Sequence, residues 1–304
     1  MSEDRLPRLH DDEAEIDARL VSALLATQFP QWADRRPRAV ASSGTDHVTF
    51  RLGPDLLARI PRTAANAGQS EADLRWMPRL APHLPLAVPE PLAIGQPGHG
   101  YPFTWGVYRW LEGEPVPREL AADRQAAADL AGFIRALRSL DTTGAPRPAP
   151  DVYSRGASLG RRDALTRESI DRLRGDIDAG RATAVWDACL AAPDWDGAPV
   201  LIHADLMRGN VLARDGRLSA VIDWGALRAA DPAVDLLPAW HLFEGEARQA
   251  FRAETGVDDA TWARGLGWAL SIELIAIPYY RDRAPARTRH SLELVETMLH
   301  HAES

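Results

Sequence analysis

Val200-Leu-Ile-His203-Ala-Asp205-Leu-Met-Arg-Gly-Asn210-Val-Leu212 reads as an apolar strand that delivers a histidine and an aspartate into a loop, followed by an asparagine and a second strand. Further on, the apolar run 218–222 ends in Asp223-Trp224, and the hairpin signal Asp215-Gly216 lies between the two strands. Polar groups therefore stand where strands stop, and two carboxylates and an amide come to one end of a small sheet. Hard cations such as Mg2+ take oxygen ligands, commonly one or two carboxylates together with the phosphates of a substrate. Asn210 and Asp223 suit such a metal, and Asp205 suits a proton acceptor that orients a hydroxyl. A lone His-x-Asp-x4-Asn match arises by chance in roughly 4% of chains this long, so the flanking strands and the second aspartate carry the specificity. The competing reading of Asp205, Asn210 and Asp223 is local: strand-end residues closing turns with their own side chains.

Downstream, Asp231-Pro232 supplies a helix N-cap with proline at the first helical position, and helical patterns run to the C-terminus. Upstream, helical pattern covers 161–190, and Leu130, Phe133, Ile134, Leu137 and Leu140 form one apolar stripe that predicts a core helix over 118–140. Before Gly113 the texture differs. The segments 39–43, 47–52 and 56–60 are short, β-branched or apolar, and separated by turn sequences, which predicts an antiparallel meander; 91–94 and 105–110 read as further strands. A helix over 12–27 opens the chain, and one over 69–77 is expected to stop near Pro78. This change of texture predicts an α+β, bilobal chain. Residues 1–112 would form an N-lobe of antiparallel sheet plus helix, and 113–304 a mainly helical C-lobe with small β hairpins.

The 304 residues fit about two domains. All 35 basic residues counted as Lys+Arg are arginines. The absence of lysine excludes Schiff-base chemistry and the phosphate-binding lysine of a Walker loop. A net charge of −8 argues against a nucleic-acid surface, which needs a basic patch, and suits cationic small molecules. Cys189 is solitary, so no disulfide framework exists and a reducing compartment is expected. The polar N-terminus and the lack of a long apolar run predict a cytoplasmic protein with no membrane partner. No nucleic-acid partner is expected from the charge, and the sequence leaves the expected oligomeric state open between a monomer and a homodimer.

Taken together, His203-x-Asp205-x4-Asn210, Ile222-Asp223-Trp224 and Asp231-Pro-Ala-Val-Asp235 resemble the aminoglycoside and macrolide phosphotransferases, relatives of the protein kinases. The resemblance implies a bilobal protein-kinase-like fold, Mg2+ as cofactor and ATP or GTP as phosphate donor. It implies that Asp205 is the catalytic-loop aspartate, Asn210 and Asp223 the metal ligands, His203 a structural residue, and Asp235 a buried brace of the catalytic loop. In the first lobe, Ser43-Gly44-Thr45 looks like the phosphate-covering hairpin, and Arg109-Trp110-Leu111 like the hinge that meets the purine. Arg59 stands where the family's third strand carries a lysine, with Arg62 as rival, and Glu71 looks like its helix partner. A guanidinium is always charged and binds phosphate bidentately, so Arg59 can keep the electrostatic role. Tyr108 would stand at the back of the purine pocket, which favours acceptance of GTP.

The expected activity is transfer of the γ-phosphate of ATP or GTP to a hydroxyl of a small molecule, an aminoglycoside-like or macrolide antibiotic. The short span from Asp223 to Asp231 leaves no activation segment on which a peptide could dock. Glu244, Glu246, Glu254, Asp258 and Asp259 are candidates to bind a cationic acceptor, and Trp240, Phe243, Trp262 and Trp268 to line a pocket for a neutral lactone. A weakly active nucleotide-binding pseudokinase, a kinase of a primary metabolite, and a metal-dependent hydrolase built on His203 and Asp205 are the alternatives.

Overall fold

The computed structural model describes residues 13–40 and 46–301. The chain divides into two units, one running to Pro82 and resuming over Ala87–Glu112, the other comprising His83–Leu86 and everything from Gly113 onward.

In the first unit, strands β1 (Pro37–Ala39), β2 (His47–Leu52), β3 (Leu56–Pro61), β4 (Pro91–Gly95) and β5 (Trp105–Arg109) form one antiparallel sheet in the order β1-β2-β3-β5-β4. Alternation along β2, β3 and β5 sends Val48, Phe50, Leu52, Leu56, Ala58, Ile60, Trp105 and Val107 to one face. There they bury against Val21, Leu24 and Leu25 of helix α1 (Ala18–Gln28). Helix α1 starts later than the predicted 12–27 because the Asp17 carboxylate takes the cap, accepting from the Leu20 N–H at 2.7 Å. The residues opposed on β3 and β5, Leu57 with Tyr108 and Arg59 with Gly106, share the other face, which receives helix α2 (Gln69–Leu80). A Cβ on Gly106 would stand 2.4 Å from Tyr108 and 2.7 Å from Ser70 Oγ, so the bare glycine permits this close approach. Helix α2 does not stop near Pro78. It runs through to Leu80, and the carbonyl that loses its donor belongs to Leu74, an exposed residue. The expected strand 39–43 is instead Pro37–Ala39, and Ser43, Gly44 and Thr45 lie outside the described residues.

In the second unit, β6 (Glu114–Pro115), β8 (Val211–Arg214) and β9 (Arg217–Val221) form one small sheet, and β7 (Val200–Ile202) pairs with β10 (Arg228–Ala230) in another. The prediction of one sheet end for all the polar groups is therefore corrected: β7 finds its partner after Asp223, in a strand not foreseen. The predicted helix 118–140 becomes a single turn and then α3 (Arg124–Arg138). Asp123 caps α3 by accepting from Gln125 N–H at 2.7 Å and Ala126 N–H at 3.0 Å. Its stripe Leu130, Phe133, Ile134 and Leu137 is fully buried. The segment 161–190 resolves into α4 (Asp163–Arg172) and α5 (Ala179–Ala191). Helices α6 (Pro238–His241), α7 (Gly245–Thr255), α8 (Asp259–Tyr280) and α9 (Pro285–His301) complete the chain, with Trp268, Leu270, Leu274 and Ile277 of α8 in the core. No helix among the described residues is long and apolar enough to cross a membrane.

Candidate active site

Strand β7 ends at Ile202, and the chain turns sharply through His203, Ala204 and Asp205. The turn is fixed by main-chain bonds. The Asp235 carboxylate, fully buried in the turn Pro232–Leu236, accepts from the His203 N–H at 2.9 Å and the Ala204 N–H at 2.7 Å. Burial pushes the Asp235 carboxyl up from its ordinary range, while these two donors and the nearby Arg138 guanidinium oppose the shift. His203 is also fully buried. Its Nδ1 accepts from the Asp205 N–H at 3.2 Å, which leaves the proton on Nε2 to be donated to the Ile222 carbonyl at 3.0 Å. Burial holds His203 below its ordinary value, so the ring is neutral, and Trp224 packs edge-on against it at 4.8 Å. With both nitrogens committed, His203 is a strut and cannot serve as the metal ligand that a hydrolase would need.

The Asp205 carboxylate is about one-quarter exposed and is held on both oxygens. Oδ2 accepts from Asn210 Nδ2 at 2.8 Å, and the same nitrogen donates to the Asp205 carbonyl at 2.9 Å. Oδ1 accepts from Arg155. Because the amide nitrogen of Asn210 faces Asp205, its oxygen is the atom Asn210 can offer a cation. The Ile222 N–H donates to the Asn210 carbonyl at 2.8 Å, so Asn210 and Asp223 leave the same end of the β8–β9 hairpin. Asp223 has a left-handed backbone (φ 63°) and is half-buried. An amide oxygen beside a carboxylate is a donor set that fits Mg2+. Asp231 is an N-cap as expected, accepting from the Ala233 N–H at 2.9 Å, but it does more. Arg264 pairs with it at 2.8 and 3.2 Å, and both side chains are buried.

In the first unit, Arg59 faces Asp73, with Nη1 3.6 Å from Oδ2, and the Tyr108 hydroxyl donates to the same oxygen at 2.8 Å. Burial, with the Asp73 charge alongside, pushes the Tyr108 phenol up. Glu71 is therefore corrected as the partner of Arg59. Two positions along a helix turn a side chain by about 200°, and Glu71 stands on the exposed face while Asp73 is buried. The signal was available: Ser70, Asp73, Trp76, Met77 and Leu80 make the buried stripe of α2, and Asp73 is its one charge. The rival Arg62 is engaged elsewhere, in a buried pair with Glu13 at 2.9 Å. At the expected hinge, the Arg109 N–H donates to the Glu90 carbonyl at 2.9 Å and the Trp110 N–H to the Asp55 carbonyl at 2.8 Å. These two amides are thus spent within the unit. Arg109 pairs with Glu90 at the surface, Arg51 lies 4.0 Å over the Trp110 ring, and Leu111 is half-buried.

The residues expected to choose the acceptor do other work. Glu246 pairs with Arg124, Glu254 with Arg135 and Asp259 with Arg252, all at the surface. Asp258 caps α8, accepting from the Thr261 N–H at 2.7 Å, and these bonds lower its carboxyl from the ordinary value. Glu244 is the N-cap residue of α7. Trp240 packs on Trp262 at 4.9 Å, Phe243 on Phe251 at 5.5 Å, and Trp268 is fully buried. Among the described residues, three of these carboxylates pair with arginines, one caps a helix, and the aromatics pack on one another or in the core.

The family model described as "APH: Phosphotransferase enzyme family" matches residues 38–268. Uncharacterized protein YcbJ of Bacillus subtilis (strain 168) is 25% identical over 248 residues, covering 79% of this chain and 71% of that protein. The GDP and kanamycin complex of APH(2'')-IIIa superposes with a TM-score of 0.72 at 19% identity, over 92% of this chain and 98% of that one. The apoenzyme of the macrolide 2'-phosphotransferase MphH from Brachybacterium faecium superposes with a TM-score of 0.58 at 21% identity, over 91% and 97%. Such likenesses give the α+β architecture its kind, a protein-kinase-like fold. With the family match spanning most of its length, the chain belongs to the APH phosphotransferase enzyme family.

Proposed function

We propose that this protein transfers the γ-phosphoryl group of ATP or GTP to a hydroxyl of a small molecule, with Asp205 as catalytic base and orienter. The observation that supports the reading most is the restraint of Asp205. A carboxylate fixed by Asn210, on a loop fixed by Asp235 and His203, is preorganised to receive one proton from one hydroxyl. As the acceptor oxygen attacks, its proton passes to Asp205, the new P–O bond forms, and the bond to the bridging oxygen breaks with its electron pair leaving on the nucleoside diphosphate. Asn210 and Asp223 would hold Mg2+, which when bound supplies charge neutralisation at the phosphates. Arg59, steadied by Asp73 and Tyr108, would take the place of a phosphate-binding lysine. Structural relatives have been solved as GDP and ADP complexes and with kanamycin or gentamicin, which supports a nucleotide donor and a small hydroxylated acceptor. Glu246, Glu254 and Asp259 pair with arginines and Asp258 caps a helix, which weakens the electrostatic preference for a cationic acceptor over a neutral one.

The test is turnover of ATP and GTP with Mg2+ against a panel of aminoglycosides, macrolides and sugars, with the mass of each product measured. An acceptor gaining one phosphoryl group supports the reading. Nucleotide binding with no phosphorylated product from any acceptor favours the pseudokinase alternative.

A further inference from the structure

Arg155 belongs to no motif in the sequence, yet its guanidinium reaches the candidate catalytic carboxylate. Its Nη1 donates to the Ala204 carbonyl at 2.8 Å and to Asp205 Oδ1. Ala204 holds a left-handed backbone (φ 65°), which is sterically disfavoured for a residue with a Cβ. Its two peptide groups are each tied to a charged side chain: the N–H to Asp235 and the C=O to Arg155. The conformation that aims Asp205 is thus clamped from both sides.

The segment carrying Arg155 is itself fastened on each side of that residue. Arg162, buried and bonded through Nε to Ser271 Oγ at 2.8 Å, donates to the Val152 carbonyl at 2.8 Å. Arg228 donates to Ser154 Oγ at 2.7 Å, and that oxygen also accepts from the Ala149 N–H at 2.7 Å. Gly156 turns through φ 85°, and a Cβ there would stand 2.6 Å from that of Ala230 on β10. Two cations are thus committed to the backbone and hydroxyl of a short loop that, among the described residues, touches the site through the charge of Arg155.

Building on the phosphotransferase reading, we propose that Arg155 is a positioning residue for Asp205. Its guanidinium and the Asn210 amide fix the plane of the carboxylate, one on each oxygen, so that the remaining lone pairs face an incoming hydroxyl. Arg155 acts on the orientation of the base and has no part in holding the nucleotide.

The test compares wild type, Arg155→Ala and Arg155→Lys. Release of GDP from GTP and of ADP from ATP is followed with Mg2+ and any panel acceptor that is turned over, or with water as acceptor where none is. Amide hydrogen exchange over residues 203–210 is measured in parallel and needs no turnover. Arg155→Ala should lose about 100-fold in kcat, as for removal of one preorganised donor, with GDP affinity changed less than about threefold. About 50 mM guanidinium, compared with the same KCl, should restore roughly tenfold of the loss, and Arg155→Lys should fall between the two. Exchange over 203–210 should quicken about tenfold in Arg155→Ala and slow again with guanidinium. A kcat within about threefold of wild type, a matching loss of GDP affinity, or unchanged exchange over 203–210 would overturn the proposal. If wild type turns over neither nucleotide, the phosphotransferase reading fails alone and the exchange measurement still decides the role of Arg155. If Arg155→Ala does not fold, the same readouts on Arg155→Lys decide.

Discussion

The loop at Asp205 and the strand–helix contact at Arg59 hold their side chains by different means. Around Asp205 most restraints come from residues 203–235, with Asp235 on two N–H groups, His203 on a third and Asn210 on the carboxylate, and Arg155 adds two from outside. At Arg59 the partner arrives on a separate helix, and which carboxylate arrives depends on how α2 is rotated against the sheet. Local restraints follow from spacing along the chain. A partner delivered by packing follows from which face of a helix is buried.

The largest expected effect lies at the loop. Asp205→Ala should cut kcat by about 1,000-fold while nucleotide affinity stays within about threefold, since in the proposed reaction the carboxylate would meet the acceptor and not the triphosphate. Steady-state rates beside a GDP titration check this, and a matching loss of GDP affinity would remove the distinction. Next is the buried pair behind the loop. Asp231→Asn strips the counter-charge from buried Arg264 and should destabilise the protein by about 3 kcal/mol, read by urea denaturation. A change below about 1 kcal/mol would mean that the pair is solvated. At the strand–helix contact the comparison is internal to one helix. Asp73→Asn should raise the KM for nucleotide roughly tenfold through loss of the charge steadying Arg59, whereas Glu71→Gln should stay within about twofold. The reverse order would restore Glu71 as the partner.

The smallest effect is graded with pH. His203 and His241 are both buried, and desolvation holds each below the 6.5 at which it titrates in an unfolded chain; for His241 the Glu273 carboxylate 3.6 Å away partly opposes the shift. Below pH 6.5 the unfolded chain takes up protons that the folded chain refuses, so stability falls as pH falls. The slope should approach about 1.4 kcal/mol per pH unit for each histidine. Urea titrations between pH 7 and 5 measure it, and His241→Asn should halve the slope. A flat profile would show that these rings stay accessible to protons.

Much of the loop was legible because its chemistry is written in adjacent residues: strand, His203, Asp205, Asn210, then strand and Asp223. The brace by Asp235 was legible through resemblance alone. What escaped reading depends on tertiary placement. Strand β10 has an unremarkable Arg-Ala-Ala sequence and becomes a strand by pairing with β7. Arg155 sits in a loop with no periodicity, and its position is decided by Arg162 and Arg228. The carboxylates of the helical tail resemble a binding surface in sequence, but most are neutralised by arginines on other elements, Arg124 and Arg135 of α3 among them. Asp73 could have been found, because a charge on the apolar stripe of a helix must have a buried partner.

The bare Cα at Gly106 sets how deeply α2 beds against the sheet, and with it the gap between Asp73 and Arg59. That gap is therefore adjustable from a position bearing no functional group. Gly106→Ala would push on Tyr108 and Ser70 and lift α2 by a fraction of an ångström without altering any charge. A series of small substitutions at this site would act as a dial on the Arg59–Asp73 distance, separating the distance dependence of the ion pair from its chemistry.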